Sequence, residues 1–282
     1  MKIVVTGGAG KIGICGIASL QAAGHSVVVF DLKPHPTARS VIVDCTDFGQ
    51  VLGALSGIDA IGGALDAVVH LAGIPAPSLA PDHVTFEANT VSTYNVFSAA
   101  ARLGIKRVVW GSSETIHGLP FKIPPDFVPI DESHPPRAEW SYALSKVLGE
   151  TMADNFVRWH PEMTIVSLRF SNVFAADDYA LLPAIQADEG QRKINLWSYV
   201  DAADAGDACQ LAVDAPLSGH ERMLIAAGNT LLEVPTAALM KAYFPDVPIR
   251  APLEGCVALL SSARARELIG YHPRRSWRNQ CR

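Results

Sequence analysis

Three stretches of this 282-residue chain carry residue types that do chemistry together. Near the start, Thr6-Gly7-Gly8-Ala9-Gly10-Lys11-Ile12-Gly13 sets glycines at 7, 10 and 13, and a single acid, Asp31, follows on. Such glycines let the backbone turn tightly and approach a pyrophosphate, and the N–H groups opening the next helix favour its charge. Gly7, Gly10, Lys11, Ile12 and Gly13 are therefore expected to hold a dinucleotide. An acid about 20 residues past the glycines can accept hydrogen bonds from the adenosine ribose. In the middle of the chain, Gly111-Ser112-Ser113-Glu114-Thr115-Ile116-His117-Gly118 ends an apolar run. Further on, Tyr142 and Lys146 stand one helical turn apart and project from one face. A glycine triplet or a Tyr-x-x-x-Lys pair means little alone; in one chain, in this order, they describe a site.

The elements that must position these groups repeat strand and helix, the pattern of a parallel sheet covered on both faces. Met1–Val5 and Ser26–Phe30 read as buried strands on either side of the glycine turn and its helix. Ser40–Asp44 is a third strand, with Asp44-Cys45 at its carboxyl end. In a doubly wound sheet ligands lie beyond such ends, so Asp44 reads either as a partner of the adenine amino group or as a cap of the helix starting near Asp47. Asp66–Gly73 is a strand whose end, Leu71-Ala72-Gly73, must pass close to the cofactor; His70 within it reads as a core histidine. A helix is expected from Asn89 to Leu103, closed by Gly104, with Asn89 either tying loops together or simply starting the helix. Lys106–Trp110 is the strand that delivers the serine pair. Residues 119–138, rich in proline, read as a surface loop. Trp140 opens the helix of Tyr142 and Lys146, and Leu148, Met152, Phe156 and Trp159 recur along it at the spacing of a packed face.

Composition excludes other classes. With 49% hydrophobic and 18% charged residues the chain has the makings of a large core and not of a disordered segment. A net charge of −5 argues against nucleic acid or an acidic membrane as partner. Arg274, Arg275, Arg278 and Arg282 read as a solvated tail. Cysteines 15, 45, 209, 256 and 281 lack metal or redox spacing, so no metal site is expected and the thiols read as reduced ones in a cytoplasmic protein. No apolar run is long enough to cross a bilayer.

From Lys2 to about Val173, and more loosely beyond, the sequence resembles the extended short-chain dehydrogenase/reductases, the NAD-dependent epimerase/dehydratase family. The resemblance rests on the 6–13 glycine motif, Asp31, His70 to Gly73, Ser112-Ser113 with Gly118, Tyr142-Ala-Leu-Ser-Lys146 and Arg169-Phe-Ser-Asn172. It implies an α/β doubly wound Rossmann fold with a small C-terminal substrate-binding lobe. The expected division is 1–170 for the NAD-binding domain and 171–282 mainly for the lobe, with segments returning to the first. Tyr142 would be the acid/base, Lys146 would bind the nicotinamide ribose, and Ser113 would hydrogen-bond the reacting hydroxyl. The chemistry is consistent: a tyrosine titrating near 10 needs roughly 3 units of depression, about 4 kcal/mol, to act as base at neutral pH. Two nearby positive charges, Lys146 and the oxidised nicotinamide, would supply it. Asp31 would repel a 2′-phosphate, so NAD is expected in preference to NADP.

Departures from the family pattern bear on the substrate. Dehydratases of the family carry an acidic pair after the serine, whereas this chain has Glu114 and then Thr115, so elimination is not expected. Glu114 reads as a binding group or a solvated turn acid, and His117, standing where tyrosine is usual, as a residue that shapes the substrate pocket. Asn172 would touch substrate or serve as a turn residue; Phe174-Ala175-Ala176 replaces Tyr-Gly-Pro, and Asp177-Asp178 reads as solvent-facing or a cap. Leu181–Gly190 is expected as one helix and Asn195–Asp201 as a strand leading into helix 203–213. Trp197-Ser198-Tyr199-Val200-Asp201 stands where many nucleotide-sugar enzymes of the family carry a pyrophosphate-binding arginine, and has none. This compact C-terminal region also resembles that of the hexuronate dehydrogenases, which implies that a base such as Arg192 binds a sugar carboxylate. Expected last are a strand at 221–227 and helices at 234–244 and 261–268.

The reading is therefore an NAD-dependent oxidoreductase or epimerase acting on a secondary alcohol of a sugar or sugar acid. A UDP-sugar 4-epimerase is the close alternative, and a non-catalytic NAD-sensing protein the alternative of another class. The expected partners are a small-molecule substrate and, through the helices after Asn89 and around Tyr142, a second copy of the chain.

Overall fold

The computed structural model describes residues 1–57, 64–76 and 79–280; Cys281 and Arg282, part of the thiol and tail readings above, lie outside them. Its central strands bury both faces, which is why their sequences are apolar without alternation. Strand β1 (Lys2–Thr6) leads through the glycine turn into α1 (Lys11–Ala22), then β2 (Ser26–Asp31) and β3 (Ser40–Ile42). Next come α2 (Phe48–Ser56), β4 (Ala67–His70), α3 (Asp82–Arg102), β5 (Arg107–Ser113), α4 (Ser141–Trp159) and β6 (Thr164–Phe170). The chain continues through β7 (Val173–Phe174), α5 (Leu182–Ala187), β8 (Val200–Asp201), α6 (Ala202–Asp214) and β9 (Gly219–Ile225), and ends with α7 (Thr236–Tyr243), α8 (Ala263–Ile269) and α9 (Trp277–Gln280).

Seven parallel strands form one sheet in the order β3-β2-β1-β4-β5-β6-β9. The order reverses between β1 and β4, which opens a crevice beyond their carboxyl ends. Successive residues of each strand serve opposite cores: Ile3 and Val5 pack with α1, α6 and α8, while Val4 packs with α2, α3 and α4. A third apolar cluster lies under the C-terminal segments, where Phe174, Trp197, Tyr199, Leu231 and Leu259 meet. Strands β7 and β8 pair there as a separate two-stranded sheet.

Several expected boundaries move. Helix α3 begins at Asp82, so Asn89 sits buried inside it and not at its start. The 119–138 segment is no mere surface loop: Leu119, Val128 and Ile130 are fully buried in the third cluster, and its prolines shape a chain that packs inward. Only Val200 and Asp201 of the expected 195–201 strand are extended. Leu196 and Trp197 adopt left-handed backbone at φ 56° and 51°, which breaks the run; the buried Trp197 ring, packed on Tyr243 and Phe244, holds that turn. The expected helix 181–190 is a 3-10 turn over 176–181 followed by the short α5. Arg275 is no free tail residue, since its guanidinium bonds Asp204 at 2.6 Å and Asp207 at 2.9 Å.

Candidate active site

The carboxyl end of β5 and the first turns of α4 meet over the sheet. Their approach is set by Gly149, where a Cβ would lie 2.2 Å from the Trp110 ring; only glycine lets α4 settle against β5. That contact brings Tyr142 and Lys146 down beside Ser113, and all three are buried. Lys146 Nζ donates to the Gly111 carbonyl at 2.7 Å and lies 5.1 Å and 5.5 Å from the Trp110 and Tyr142 ring centroids. Burial lowers the Lys146 ammonium to about 8. Burial also pushes the Tyr142 phenol up to about 12, against the pull of a hydrogen bond from Ser113 and with a further push from Glu114. The depressed phenol expected from the sequence is therefore not a property of the protein alone.

Glu150, one helical turn past Lys146 on the same face, was not singled out from the sequence. Its carboxylate accepts from Ser112 Oγ at 2.8 Å, from Arg169 Nε at 2.8 Å and Nη2 at 2.7 Å, and from Arg222 Nε at 3.1 Å. It thus ties α4 to β5, β6 and β9 directly behind the catalytic candidates. Burial opposes its charge, but Arg169, Ser112 and Arg222 hold the carboxyl below its ordinary value. The recurrence of Tyr142, Lys146 and Glu150 at every fourth position was the available signal.

On the far side of Tyr142 the structure brings together Glu114, Ser171, Asn172 and Arg192. Glu114 is buried, which overturns the solvated-turn reading. Burial raises it to about 8, offset in part by the neighbouring Ser171, Arg192 and Asn172. Arg192 donates to Asn172 Oδ1 at 2.6 Å and lies over the Phe174 ring. His117 is fully buried, its Nε2 3.1 Å from Arg169 Nη1 and its ring 5.4 Å from that of His134. Burial and the Arg169 charge keep it neutral, well below the usual histidine range; it belongs to the Arg169 network rather than to an open pocket wall.

The dinucleotide candidates gather around the β1–β4 crevice. Gly7 turns at φ +68°, and a Cβ there would sit 2.5 Å from the Ala72 backbone N, so the glycine loop is pinned against the end of β4. Gly10 caps α1 without a side chain, which leaves the first-turn N–H groups at Lys11, Ile12 and Gly13 open. Asp31 accepts from Ala9 N at 3.0 Å and from Lys33 N at 3.1 Å, fixing the loop from the β2 side. Leu71, Ala72 and Gly73 line the same side; Asn89 ties the segment down through Ile74 N (2.7 Å) and O (3.1 Å). Thr6 Oγ1 and His70 Nδ1 are 2.6 Å apart, with the histidine lowered by burial to about 3. Asp44 caps no helix: it accepts from Thr46 N and Oγ1, and the cap of α2 is Asp47. Cys45 is buried, its thiol pushed up to about 12 by burial, and Asn95 donates to its carbonyl at 3.0 Å. Lys11 reaches across to Asp178 at 2.5 Å, and Asp178 also accepts from Ala175 N. Among the described residues no three His, Cys, Asp or Glu side chains gather as metal ligands.

Known proteins resemble this chain in sequence and in fold. The model of the NAD dependent epimerase/dehydratase family matches residues 3–226. The L-arabinose 1-dehydrogenase (NAD(P)(+)) of Haloferax volcanii is 29% identical over 224 residues, covering 77% of this chain and 84% of the relative. A UDP-glucose 4-epimerase of Neisseria meningitidis serogroup C is 28% identical over 229 residues, which span 75% of this chain but 64% of that enzyme. Among solved structures, an NAD-bound short-chain dehydrogenase/reductase superfamily protein from Agrobacterium tumefaciens superposes with a TM-score of 0.73 at 24% identity, covering 99% of this chain and 94% of the other. The UDP-glucose 4-epimerase of Bifidobacterium longum reaches 0.75 at 19% identity over 99% and 96% of the two chains. At these identities the structures speak for the fold.

Proposed function

The chain belongs to the NAD dependent epimerase/dehydratase family, and from that premise we propose that it is an NAD-dependent dehydrogenase oxidising a secondary alcohol of a free sugar. Residues 197–201 carry this reading. Where a nucleotide-sugar enzyme of the family would place its pyrophosphate arginine, this chain has Trp197, Ser198, Tyr199, Val200 and Asp201, all buried, with Trp197, Tyr199 and Val200 fully so. The space is filled by the protein's own packing. The Haloferax relative, named as a sugar dehydrogenase, supports the same reading. The UDP-glucose 4-epimerases among the relatives favour the epimerase reading, which needs a pyrophosphate partner that residues 197–201 do not supply.

The residues present fit NAD: the uncapped N-terminus of α1 and the loop pinned by Gly7 suit a pyrophosphate, and Asp31 suits a ribose. NAD, when bound, supplies the hydride acceptor. Lys146 is set to hold the nicotinamide ribose and to act by its charge on Tyr142, 5.5 Å away. Tyr142 takes the substrate hydroxyl proton as the carbon loses hydride, and Ser113 hydrogen-bonds the reacting oxygen through the change from alcohol to carbonyl. Because the protein's own groups, burial first among them, hold the phenol near 12, ionisation at neutral pH depends on neighbouring positive charge, so the base is competent only in the loaded site.

We further propose a cytoplasmic homodimer. Tyr94 on α3 and Leu144 and Trp159 on α4 expose 49%, 43% and 54% of their surface, and an apolar cleft of about 280 Å³ runs between the two helices. The four cysteines among the described residues are free thiols, as a reducing compartment allows. No described helix is long and apolar enough to cross a membrane.

The test is formation of reduced nicotinamide, read by its absorbance, from purified protein, NAD and a panel of free sugars, sugar acids and UDP-sugars. Net reduction with a free sugar supports the dehydrogenase; conversion of a UDP-sugar to its epimer without net reduction refutes it. Tyr142→Phe is expected to lower turnover by about 10²–10⁴-fold while NAD still binds; unchanged turnover would remove Tyr142 from the mechanism.

A further inference from the structure

Three buried polar atoms beside Tyr142 lack a well-formed hydrogen bond within the protein, Glu114 Oε2, Ser171 Oγ and Arg192 Nε, the first two close enough to act on each other. Buried polar atoms are nearly always well paired, so three poorly satisfied ones in one place mark where a ligand supplies the missing bonds. They come from three segments, just past the ends of β5 and β6 and from the 3-10 turn before β8. They belong to one cluster: Ser171, Asn172 and Arg192 all act on Glu114, and Glu114 acts on Tyr142. Arg192 and Glu114 act on each other by charge but form no ion pair within 4.0 Å, and Arg192 is held instead by Asn172 at 2.6 Å.

The inventory defines the ligand. Arg192 Nε–H needs an acceptor, Glu114 needs a hydroxyl that donates to its carboxylate or accepts from its acid form, and Ser171 takes either. Two adjacent hydroxyls meet all three needs whatever the protonation state of Glu114. A sugar carboxylate seated on Arg192 lies against Glu114 as well, so two carboxyls must share one proton. The cation that acts on Glu114 is Arg192, so an acid cannot use this base without meeting that glutamate.

We propose that Glu114, Ser171 and Arg192 form a clamp for a vicinal diol, and that Glu114 makes this site select an uncharged sugar over the corresponding sugar acid. The proposal rests on the sugar-dehydrogenase reading and reverses the carboxylate-binding role that the sequence suggests for Arg192.

The test uses NAD-loaded Tyr142→Phe protein, which binds sugars without turning them over, titrated calorimetrically with two matched pairs: D-galactose and D-galacturonate, D-glucose and D-glucuronate. The groups facing Glu114 are Tyr142 on α4, Arg192, and Ser171 with Asn172. Among them Glu114 changes charge between about pH 7 and pH 9 in this background, as its burial places it near 8; Lys146, also near 8, is common to the proteins with and without Glu114→Gln and drops out of their comparison. At about pH 9 the neutral member of at least one pair is expected to bind more than tenfold tighter than its acid, and adding Glu114→Gln is expected to narrow that ratio at least tenfold. Tighter binding of the acids, an unchanged ratio in the Glu114→Gln protein, or no binding of any of the four overturns the proposal. If the preference holds while wild-type protein reduces no NAD with any free sugar, the dehydrogenase reading falls and the clamp stands. If NAD is reduced but the acids bind tighter, the clamp falls alone.

Discussion

Replacing Lys146 by Met isolates the charge on which Tyr142 depends. The phenol starts near 12, so half-ionisation near pH 8 requires about 4 units, or roughly 5–6 kcal/mol. An ammonium 5.5 Å from the ring, at an effective dielectric of about 20, supplies ~3 kcal/mol, or roughly 2 units. The remainder falls to the charge of the oxidised nicotinamide, since the value near 12 already includes the Ser113 hydrogen bond. Burial has lowered Lys146 to about 8, so its charge is present below that pH and fades above it. Lys146→Met should therefore cut kcat/KM about 100-fold near pH 6–7, with the deficit shrinking above about pH 8, where the wild-type lysine also becomes neutral. The assay is the pH profile of kcat/KM at saturating NAD for both proteins, so that lost cofactor affinity does not enter. A deficit of the same size at every pH would mean that Lys146 only positions the cofactor, and a deficit under about threefold would refute the electrostatic argument altogether.

Glu150→Gln removes one partner of a buried pair and strands Arg169, so urea unfolding should show a loss of about 3–5 kcal/mol, with kcat falling as α4 loosens; a loss below about 1 kcal/mol would show that the network does not anchor the helix. Asp31→Ala removes the acceptor of Ala9 N and Lys33 N and is expected to raise the KM for NAD about tenfold or more while narrowing discrimination against NADP; an unchanged NADP to NAD ratio would count against the ribose contact. Glu114 is raised from 4.5 to about 8 by burial, so the folded state binds its proton more tightly than the unfolded chain. Stability from that proton is complete below about 4.5 and is lost as pH rises towards 8. Denaturation of Glu114→Gln across that window should therefore show it gaining stability relative to the wild type as pH rises, and a constant difference would show that Glu114 is not held neutral.

Much of the architecture was legible because it is written locally. The apolar runs at β1, β2, β4 and β5, the glycines between β1 and α1, and Asp31 at the end of β2 each depend on near neighbours, and a parallel sheet buried on both faces leaves few other ways to arrange them. The Tyr142 and Lys146 pair was legible for the same reason, since a helix fixes which residues share a face. The C-terminal third was not, because its elements are short and irregular. The 195–201 stretch has the composition of a strand, yet Leu196 and Trp197 turn left-handed because burying the Trp197 ring against Tyr243 and Phe244 outweighs local preference.

By itself the sequence determined the sheet, its covering helices, the crevice between β1 and β4 and which face of α4 carries Tyr142 and Lys146, all consequences of periodicity and of glycine at close turns. Only the tertiary structure decided the environment of each group. Glu114 is buried and faces Arg192, Glu150 closes a network across three strands, and Tyr142 is raised by burial rather than lowered. These are effects of desolvation and of partners distant in the chain, and desolvation exists only once the strands and helices have closed over the side chains.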